Sequence, residues 1–531
     1  MYKKEEALHI LKHYFGYDSF REGQEFLIEH MMNGQDVFGI MPTGAGKSLC
    51  YQIPALLMPG ITLVISPLIS LMKDQVAALN QAGVHAAFLN SSLTQGQYLT
   101  ALRYAKEGRY KIIYVAPERL LTESFLGFAR EAEISMVSVD EAHCVSQWGQ
   151  DFRPGYLKIL DFLDRLPYRP VVGAYTATAT AEVREDILDI LRLQNPYVET
   201  TGFDRGNLFF AVKKPVDKYK ELVSYLKEKG YDTSGDSGII YCLTRKSVEQ
   251  VSFDLRNEGF SVTRYHAGLS DEERKENQEN FIYGKRQIMV ATNAFGMGID
   301  KQNVRFVIHY NLPKSIENYY QEIGRGGRDG LPTETILFYN MDDVMTLRGL
   351  AASSGEKEMN LEKLRQMQEY ADAQVCRRRI LLNYFGETRT CDCGNCDVCI
   401  APPKRFDGTE LVQKALSAIM RTKEQIRLTL TIDILHGNCT EEVRSRNLQY
   451  LKTFGVGRDI SCHDWRNYLM QMMQMGLIRR DYEEERHLKV TEPGKEILYG
   501  RRRIELSVIE HEDARVQRLK DAARMKRTDK S

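Results

Sequence analysis

The sequence predicts an α/β chain: two parallel-sheet lobes in series, then a helical cysteine-bearing segment and a compact, mostly helical region. Three observations predict it. Short apolar strands alternate with helix-like stretches over residues 1–200, the pattern of a parallel sheet covered by helices on both faces. The same alternation restarts near residue 215. Past residue 340 it gives way to a charged helical pattern, after which five of the chain's ten cysteines fall between Cys376 and Cys399.

In the first lobe the expected strands are DVFGI before residue 41, TLVISP at 62–67, KIIYVAP at 111–117, SMVSVDE at 135–141 and VVGAYTAT at 171–178. In the second they are GIIYCLT at 238–244, RQIMVAT at 286–292 and RFVIHYNLP at 305–313, with GFDRGNLFF at 202–210 as the joining segment. Ligands of parallel sheets bind outside the strand carboxyl ends, and the chemically marked residues lie there. The segment 340–375 reads as helical, 407–500 as helices ending in a short strand pair, and 501–531 as a charged tail forming a frayed helix.

A length of 531 residues suits about three or four ordinary domains. Lys+Arg and Asp+Glu balance at 72 each, which leaves nucleic-acid binding open because the binding field depends on where charges cluster. No apolar run approaches the roughly 20 residues of a membrane span. The N-terminus MYKKEEALHILKHYFG carries acidic residues and no secretory pattern, so the expectation is a cytoplasmic chain with reduced thiols.

MPTGAGKS at 41–48 follows a strand and precedes a helix. Thr43, Gly44 and Gly46 let backbone N–H groups approach phosphate oxygens, and the helix start favours negative charge. Lys47 would reach the β- and γ-phosphates of ATP, and the Ser48 hydroxyl would bind Mg²⁺. Asp140 would hold the same Mg²⁺ through water, and Glu141 would polarise the attacking water. His143 is either a relay to the second lobe or a satisfied polar residue. IGRGGRDG at 323–330 places Arg325 and Arg328 one helical turn apart on one face. An arginine facing the γ-phosphate stabilises transition-state charge, worth about 10³–10⁵ in rate, and Arg328 is the expected finger.

VDEAHCVSQWGQDFRP at 139–154 sets the two carboxylates within a dozen residues of Gln147, Trp148, Phe152 and Arg153. Aromatic faces can stack on bases for about 1–3 kcal/mol each, and Arg153 adds charge or cation–π contact. Hydrolysis and strand contact are therefore expected to be coupled.

With these motifs the chain resembles the superfamily 2 helicases and, within them, the RecQ family, over roughly residues 8–500. FGYDSFREGQ at 15–24 is similar to that family's adenine-reading motif, which implies that Tyr17 stacks on the base while Arg21 and Gln24 hydrogen-bond to it. SPLISLMKDQ at 66–75, APERL at 116–120 and TATAT at 176–180 resemble first-lobe motifs. ATNAFGMGIDK at 291–301, with Asp300 at the nucleotide, and YYQEIGRGGRDG at 319–330 resemble second-lobe motifs. The SQWGQDFRP loop looks like the family's aromatic loop, which couples single-strand binding to hydrolysis. The chain departs from the usual pattern at Gln150 (histidine), Gly326 (alanine) and Gly206 (proline).

The fold implied is two RecA-like parallel-sheet lobes followed by a helical zinc-binding domain and a winged-helix domain. The expected bounds are 1–205 and 206–340 for the lobes, 341–406 for the zinc-binding domain, 407–500 for the winged helix and 501–531 for the tail. Cys393, Cys396 and Cys399 have C-x₂-C-x₂-C spacing, and with Cys376 they make a closed tetrahedral Zn²⁺ site. Spacing alone leaves Cys391 as a fifth candidate; the resemblance selects Cys393. Trp465, Leu469, Met472 and Met473 share one helical stripe that reads as core, with Arg466 and Asn467 facing duplex DNA. RRDYEEERHLKV at 479–490 reads as the wing hairpin.

The expected activity is an ATP- and Mg²⁺-dependent DNA helicase moving 3′→5′ on single-stranded DNA in recombination and repair. Expected partners are single-stranded and duplex DNA and, by resemblance, single-stranded-DNA-binding protein on the winged helix; the chain is expected to be a monomer. The rival readings are an RNA helicase and a DNA-binding regulator whose ATP site only switches its shape.

Overall fold

The computed structural model describes residues 2–149, 151–296, 301–481, 484 and 486–509. Two compact units divide the chain: Met1–Ala371 with Tyr384–Glu387, and Asp372–Asn383 with the remainder.

The first unit holds two wholly parallel sheets. The first consists of β1 (Val37–Ile40), β2 (Ile61–Ile65), β3 (Ala86–Leu89), β4 (Ile112–Val115), β5 (Ile134–Val139), β6 (Val171–Thr176) and β7 (Tyr197–Thr200), in the order β3-β4-β2-β5-β6-β1-β7. The second consists of β8 (Leu208–Lys213), β9 (Ser237–Tyr241), β10 (Val262–Tyr265), β11 (Ile288–Ala291), β12 (Val304–His309) and β13 (Thr333–Phe338), in the order β10-β11-β9-β12-β13-β8. Central strands such as β1, β2 and β4 are buried at every residue. That is why they read as continuous apolar runs rather than alternating ones. Helices cover the sheets, and Leu27, Val37, Val64, Tyr114, Met136 and Tyr175 fill one of the resulting cores.

The order β5-β6-β1 has a chemical consequence. It brings the carboxyl ends of three strands side by side, so that the glycine loop after β1, Asp140 after β5 and Thr176 at the end of β6 open onto one crevice. The Met41 N–H donates to the Thr176 carbonyl at 3.0 Å, fixing the start of the glycine loop.

Two sequence expectations are corrected in this unit. Residues 202–210 are not wholly a joining segment, because Leu208 begins β8, an edge strand paired along its length with β13. Arg325 and Arg328 do not share a helical face. The helix Ile316–Ile323 ends before them, and Gly327 (φ 55°) has a left-handed conformation that no helix continues through.

In the second unit, helices Thr409–Arg421, Leu428–His436 and Cys462–Gln474 form the core with an antiparallel hairpin of β15 (Ile478–Asp481) and β16 (His487–Val490), a winged-helix arrangement. Trp465, Leu469 and Met472 are buried as the stripe predicts, while Met473 is half-buried. The Trp465 indole N–H donates to the Gly457 carbonyl at 2.8 Å, so this ring is a packing anchor. The frayed-helix expectation fails at the start of the tail. β17 (Glu505–Ser507) pairs antiparallel with β14 (Arg405–Asp407), and residues beyond 509 lie outside those described.

Candidate active site

The glycine loop is shaped by two residues in the left-handed region, Gly44 (φ 88°) and Gly46 (φ 81°). Gly46 caps the helix Lys47–Leu57 with no side chain on its first N–H groups, an arrangement that leaves those donors to an anion. The loop's carbonyl oxygens are held from outside. Gln24 donates through Nε2 to Ala45 O (3.0 Å) and Gly46 O (3.1 Å), and Arg21 donates to Gly44 O. Arg21 and Gln24 therefore rest on the phosphate loop itself, while Tyr17 is half exposed.

Lys47 Nζ donates to Met41 O at 3.1 Å. Burial pushes its ammonium pKa down, Glu141 and Asp140 act to raise it, and Arg328 lowers it further, so these four charged groups share one crevice. Ser48 follows on the first turn of the same helix. Asp140 is buried, and its carboxyl pKa is pushed up to about 7, by burial first and by Glu141 second. A divalent ion held by Asp140 and Ser48 fits the donor set: both are hard oxygen ligands, and one is a carboxylate that burial makes costly to ionise alone.

Glu141 lies in the left-handed region (φ 48°), a conformation costing about 1–3 kcal/mol in a residue with a side chain. Its Oε2 is buried with no hydrogen bond, 3.4 Å from His143 Nδ1. His143 Nδ1 also lies 2.9 Å from Thr176 Oγ1, whose own hydroxyl donates to Thr178 O at 3.1 Å. Thr176 must therefore accept, which places the imidazole proton on Nδ1. Burial lowers the His143 pKa and keeps the ring neutral.

From the second sheet, Arg328 runs along the phosphate loop: a Cβ on Gly44 would meet its Cγ at 3.4 Å. Arg325 packs instead against Gly296 and borders a cavity of about 150 Å³ that Glu141, His143, Gln321 and Glu322 also line. The two arginines thus reach the crevice by different routes. Asp300 and Gln150 lie outside the described residues. At Gly326 a methyl group would meet Thr333 Cγ2 at 2.7 Å, which explains glycine there; at Gly206 the space is open.

The aromatic loop rests on the carboxylate segment. Tyr156 Oη donates to Asp140 O (2.8 Å), and the Arg153 N–H donates to Cys144 O (2.9 Å). Arg153 Nη1 bonds Pro67 O at 2.8 Å, and its other donors hold Asp151. Lys363 donates to Gly149 O. Trp148 is 37% exposed, Gln147 is exposed, and Phe152 and Arg153 are half-buried. The residues missed by sequence reasoning are Gly149, Tyr156, Lys363 and Arg205. All four act through backbone carbonyls, which leave no residue-type signature.

In the second unit the Sγ atoms of Cys376, Cys393, Cys396 and Cys399 lie within 4.8 Å of one another. A tetrahedral zinc ion with Zn–S of about 2.3 Å separates sulfurs by about 3.8 Å, so the four fit that group. Hydrogen bonds from Cys376 and then Cys396 pull the Cys393 thiol pKa down, while the same network pushes Cys376 up to about 12 and Cys396 up. Backbone N–H groups of Cys393 and Asn395 point at Cys376 Sγ and Cys393 Sγ, both at 3.3 Å, the outer hydrogen bonds expected around such a centre. Cys391 is exposed and stands outside the group.

Comparison with known proteins agrees with this organisation. Residues 21–187 match the DEAD/DEAH box helicase family, 217–330 the helicase conserved C-terminal domain, 341–400 the RecQ zinc-binding family and 402–515 the RQC domain. The ATP-dependent DNA helicase RecQ of Pasteurella multocida is 42% identical over 95% of this chain and 80% of its own. That of Bacillus subtilis is 42% identical over 97% and 86%. A putative ATP-dependent RNA helicase of Acanthamoeba polyphaga mimivirus is 37% identical over 90% and 88%. Among solved structures, the DUF1998 helicase MrfA bound to DNA shares the fold (TM-score 0.54, 18% identity, 69% of this chain and 57% of that one). So does the DEAD-box helicase Mss116 bound to single-stranded RNA (TM-score 0.54, 18% identity, 66% and 76%). By its four matched domains and its identity to full-length relatives, this chain belongs to the RecQ family of helicases.

Proposed function

We infer that the chain is an ATP-dependent DNA helicase of recombination and repair, in which hydrolysis in the crevice between the sheets drives 3′→5′ movement on single-stranded DNA. The observation that carries this reading is the gathering of Lys47, Asp140, Glu141 and Arg328 around the glycine loop, with the aromatic loop hydrogen-bonded to the Asp140 segment. The loop's N–H groups and Lys47 bind the triphosphate. Ser48 and Asp140 would hold a magnesium ion, which would supply charge neutralisation at the phosphates. Glu141, with an unpaired oxygen, takes the proton of the attacking water, and neutral His143, held by Thr176, lines the same cavity. Arg328 stabilises charge on the γ-phosphate, and Arg325 closes the Glu141 cavity. Tyr17, Arg21 and Gln24 hold the adenine once the base enters, and Asp300 completes the nucleotide contacts. Gln147, Trp148, Phe152 and Arg153 meet the DNA strand.

The domains run 1–205, 206–340, 341–406 and 407–500, with a charged tail from 501. The winged-helix domain grips duplex DNA and docks single-stranded-DNA-binding protein, assignments supported by family membership. The enzyme works as a monomer in the cytoplasm; among the described residues no helix is long and apolar enough to cross a membrane.

The RNA reading has the mimivirus relative in its favour. Measuring ATP hydrolysis without nucleic acid, with single-stranded DNA and with single-stranded RNA separates the readings. DNA stimulation is expected, and stimulation by RNA alone would overturn the assignment.

A further inference from the structure

The short segment between β7 and β8 carries Arg205, whose guanidinium donates to four backbone carbonyls. Nη1 bonds Thr43 O and Gly324 O, both at 3.3 Å, and Nη2 bonds Gly326 O and Gly327 O, both at 2.9 Å. Thr43 belongs to the phosphate loop of the first sheet. Residues 324–327 belong to the loop of the second sheet that carries Arg325 and Arg328. A single planar fork therefore ties the two halves of the active site together.

The segment bearing this fork is itself held. Tyr320 Oη donates to Phe203 O at 2.7 Å, and the Phe203 ring stacks on Phe385 at 4.9 Å. Asn207 Nδ2 donates to Gly327 O and Leu331 O, both at 2.9 Å. Arg205 thus starts from a fixed base on the second-sheet side and reaches across to Thr43. The approach it spans is close: a Cβ on Gly324 would lie 3.4 Å from Thr43 Cβ, the same distance that separates a Cβ on Gly44 from Arg328 Cγ. A guanidinium presents its donors in fixed coplanar directions, and a lysine ammonium cannot serve four carbonyls in that arrangement.

We propose that Arg205 is a positioning residue for hydrolysis. By fastening Gly324, Gly326 and Gly327 to the Thr43 carbonyl, it sets the place from which Arg328 meets the γ-phosphate. It touches no phosphate itself. When the phosphate loop adjusts to nucleotide, the movement of Thr43 passes through this guanidinium to the arginine-bearing loop. This role rests on the ATPase reading above.

The test compares the full-length parent with Arg205→Lys, Arg205→Ala, Arg328→Ala and the Arg205→Ala/Arg328→Ala double variant. ATP turnover is measured with saturating single-stranded DNA, and single-turnover rates are used for the slow variants. Arg205→Lys is expected to lose roughly 10²-fold in kcat, the scale of a small misplacement of a reacting group, with KM for ATP nearly unchanged. Adding Arg205→Ala to Arg328→Ala should slow hydrolysis no further, because Arg205 acts through Arg328. A merely structural arginine gives losses that multiply in the double variant, and that result overturns the proposal, as does parental kcat in Arg205→Lys. If Arg205→Ala folds poorly, Arg205→Lys decides the matter alone by the same kcat criterion. A parent that hydrolyses no ATP sinks the functional reading and this proposal together. An active parent with unaffected or multiplicative variants sinks this proposal only.

Discussion

Gly149 lies against the carbonyl of His143 so closely that a Cβ on Gly149 would stand 2.0 Å from that oxygen. The backbone of the aromatic loop is thus in contact with the segment directly after Asp140 and Glu141, so a shift of Trp148 would press on His143. Gly149→Ala has no room without moving one of the two. It should cost about 1–3 kcal/mol of stability, the range for overpacking, and should reduce DNA stimulation of the ATPase. Urea unfolding and ATPase assays with and without single-stranded DNA check both; a variant equal to the parent in each contradicts the contact.

Trp148→Ala separates stacking from folding. The residue is 37% exposed, so its truncation should cost about 1–2 kcal/mol of stability and leave the chain folded. Single-stranded DNA affinity should fall by about 1–3 kcal/mol, the value of one stacked base, with most of the DNA stimulation lost. Fluorescence anisotropy with a labelled oligonucleotide measures the first, and unchanged affinity together with unchanged stimulation would remove Trp148 from the DNA path.

The raised pKa of Asp140 gives a pH dependence with a definite sign. A carboxyl whose pKa rises on folding binds more protons folded than unfolded. Its contribution to the stability of the free chain is complete below its ordinary 3.8 and is lost as pH rises through about 7. Only the carboxylate form can ligate magnesium, so magnesium-nucleotide binding should release a proton below that pH. The thermal stabilisation given by a non-hydrolysable ATP analogue with magnesium should therefore be larger at pH 8 than at pH 6. Asp140→Asn should abolish the difference, and equal shifts in the parent at both pH values contradict the linkage.

The four-cysteine group should hold about one zinc ion per chain. Cys396→Ser should lose the metal and destabilise the unit that begins at Asp372, since structural zinc contributes roughly 10–16 kcal/mol of apparent binding free energy. Cys391→Ser should retain zinc and the parental melting profile. Zinc analysis of both variants decides it, and metal loss from Cys391→Ser would reassign the ligand set.

Much of this was legible in the sequence because the site is built from contiguous motifs. The glycine loop, Asp140 and Glu141 all sit at strand ends, and strands buried on both faces announce themselves as apolar runs. The edge strands β3, β7 and β10 and the strand β13 are not evident in the sequence because they are short or mixed with polar residues: β7 reads Tyr-Val-Glu-Thr, with alternating exposure; the apolar start of β8 reads instead as the end of the joining segment. The helical expectation for Arg325 and Arg328 failed because Gly327 turns left-handed under contacts with Asn207 and Thr333, which lie elsewhere in the chain. Arg205 was invisible for a related reason. Its partners are backbone carbonyls on two distant loops, and only the folded chain brings them to one side chain.

ATP hydrolysis by the full chain and by Glu141→Gln, each with and without single-stranded DNA, is the most direct test of the central claim. DNA is expected to stimulate the parent strongly, and Glu141→Gln to hydrolyse almost nothing while still binding the oligonucleotide. Hydrolysis in the parent that ignores DNA, or stimulated turnover surviving in Glu141→Gln, would contradict it.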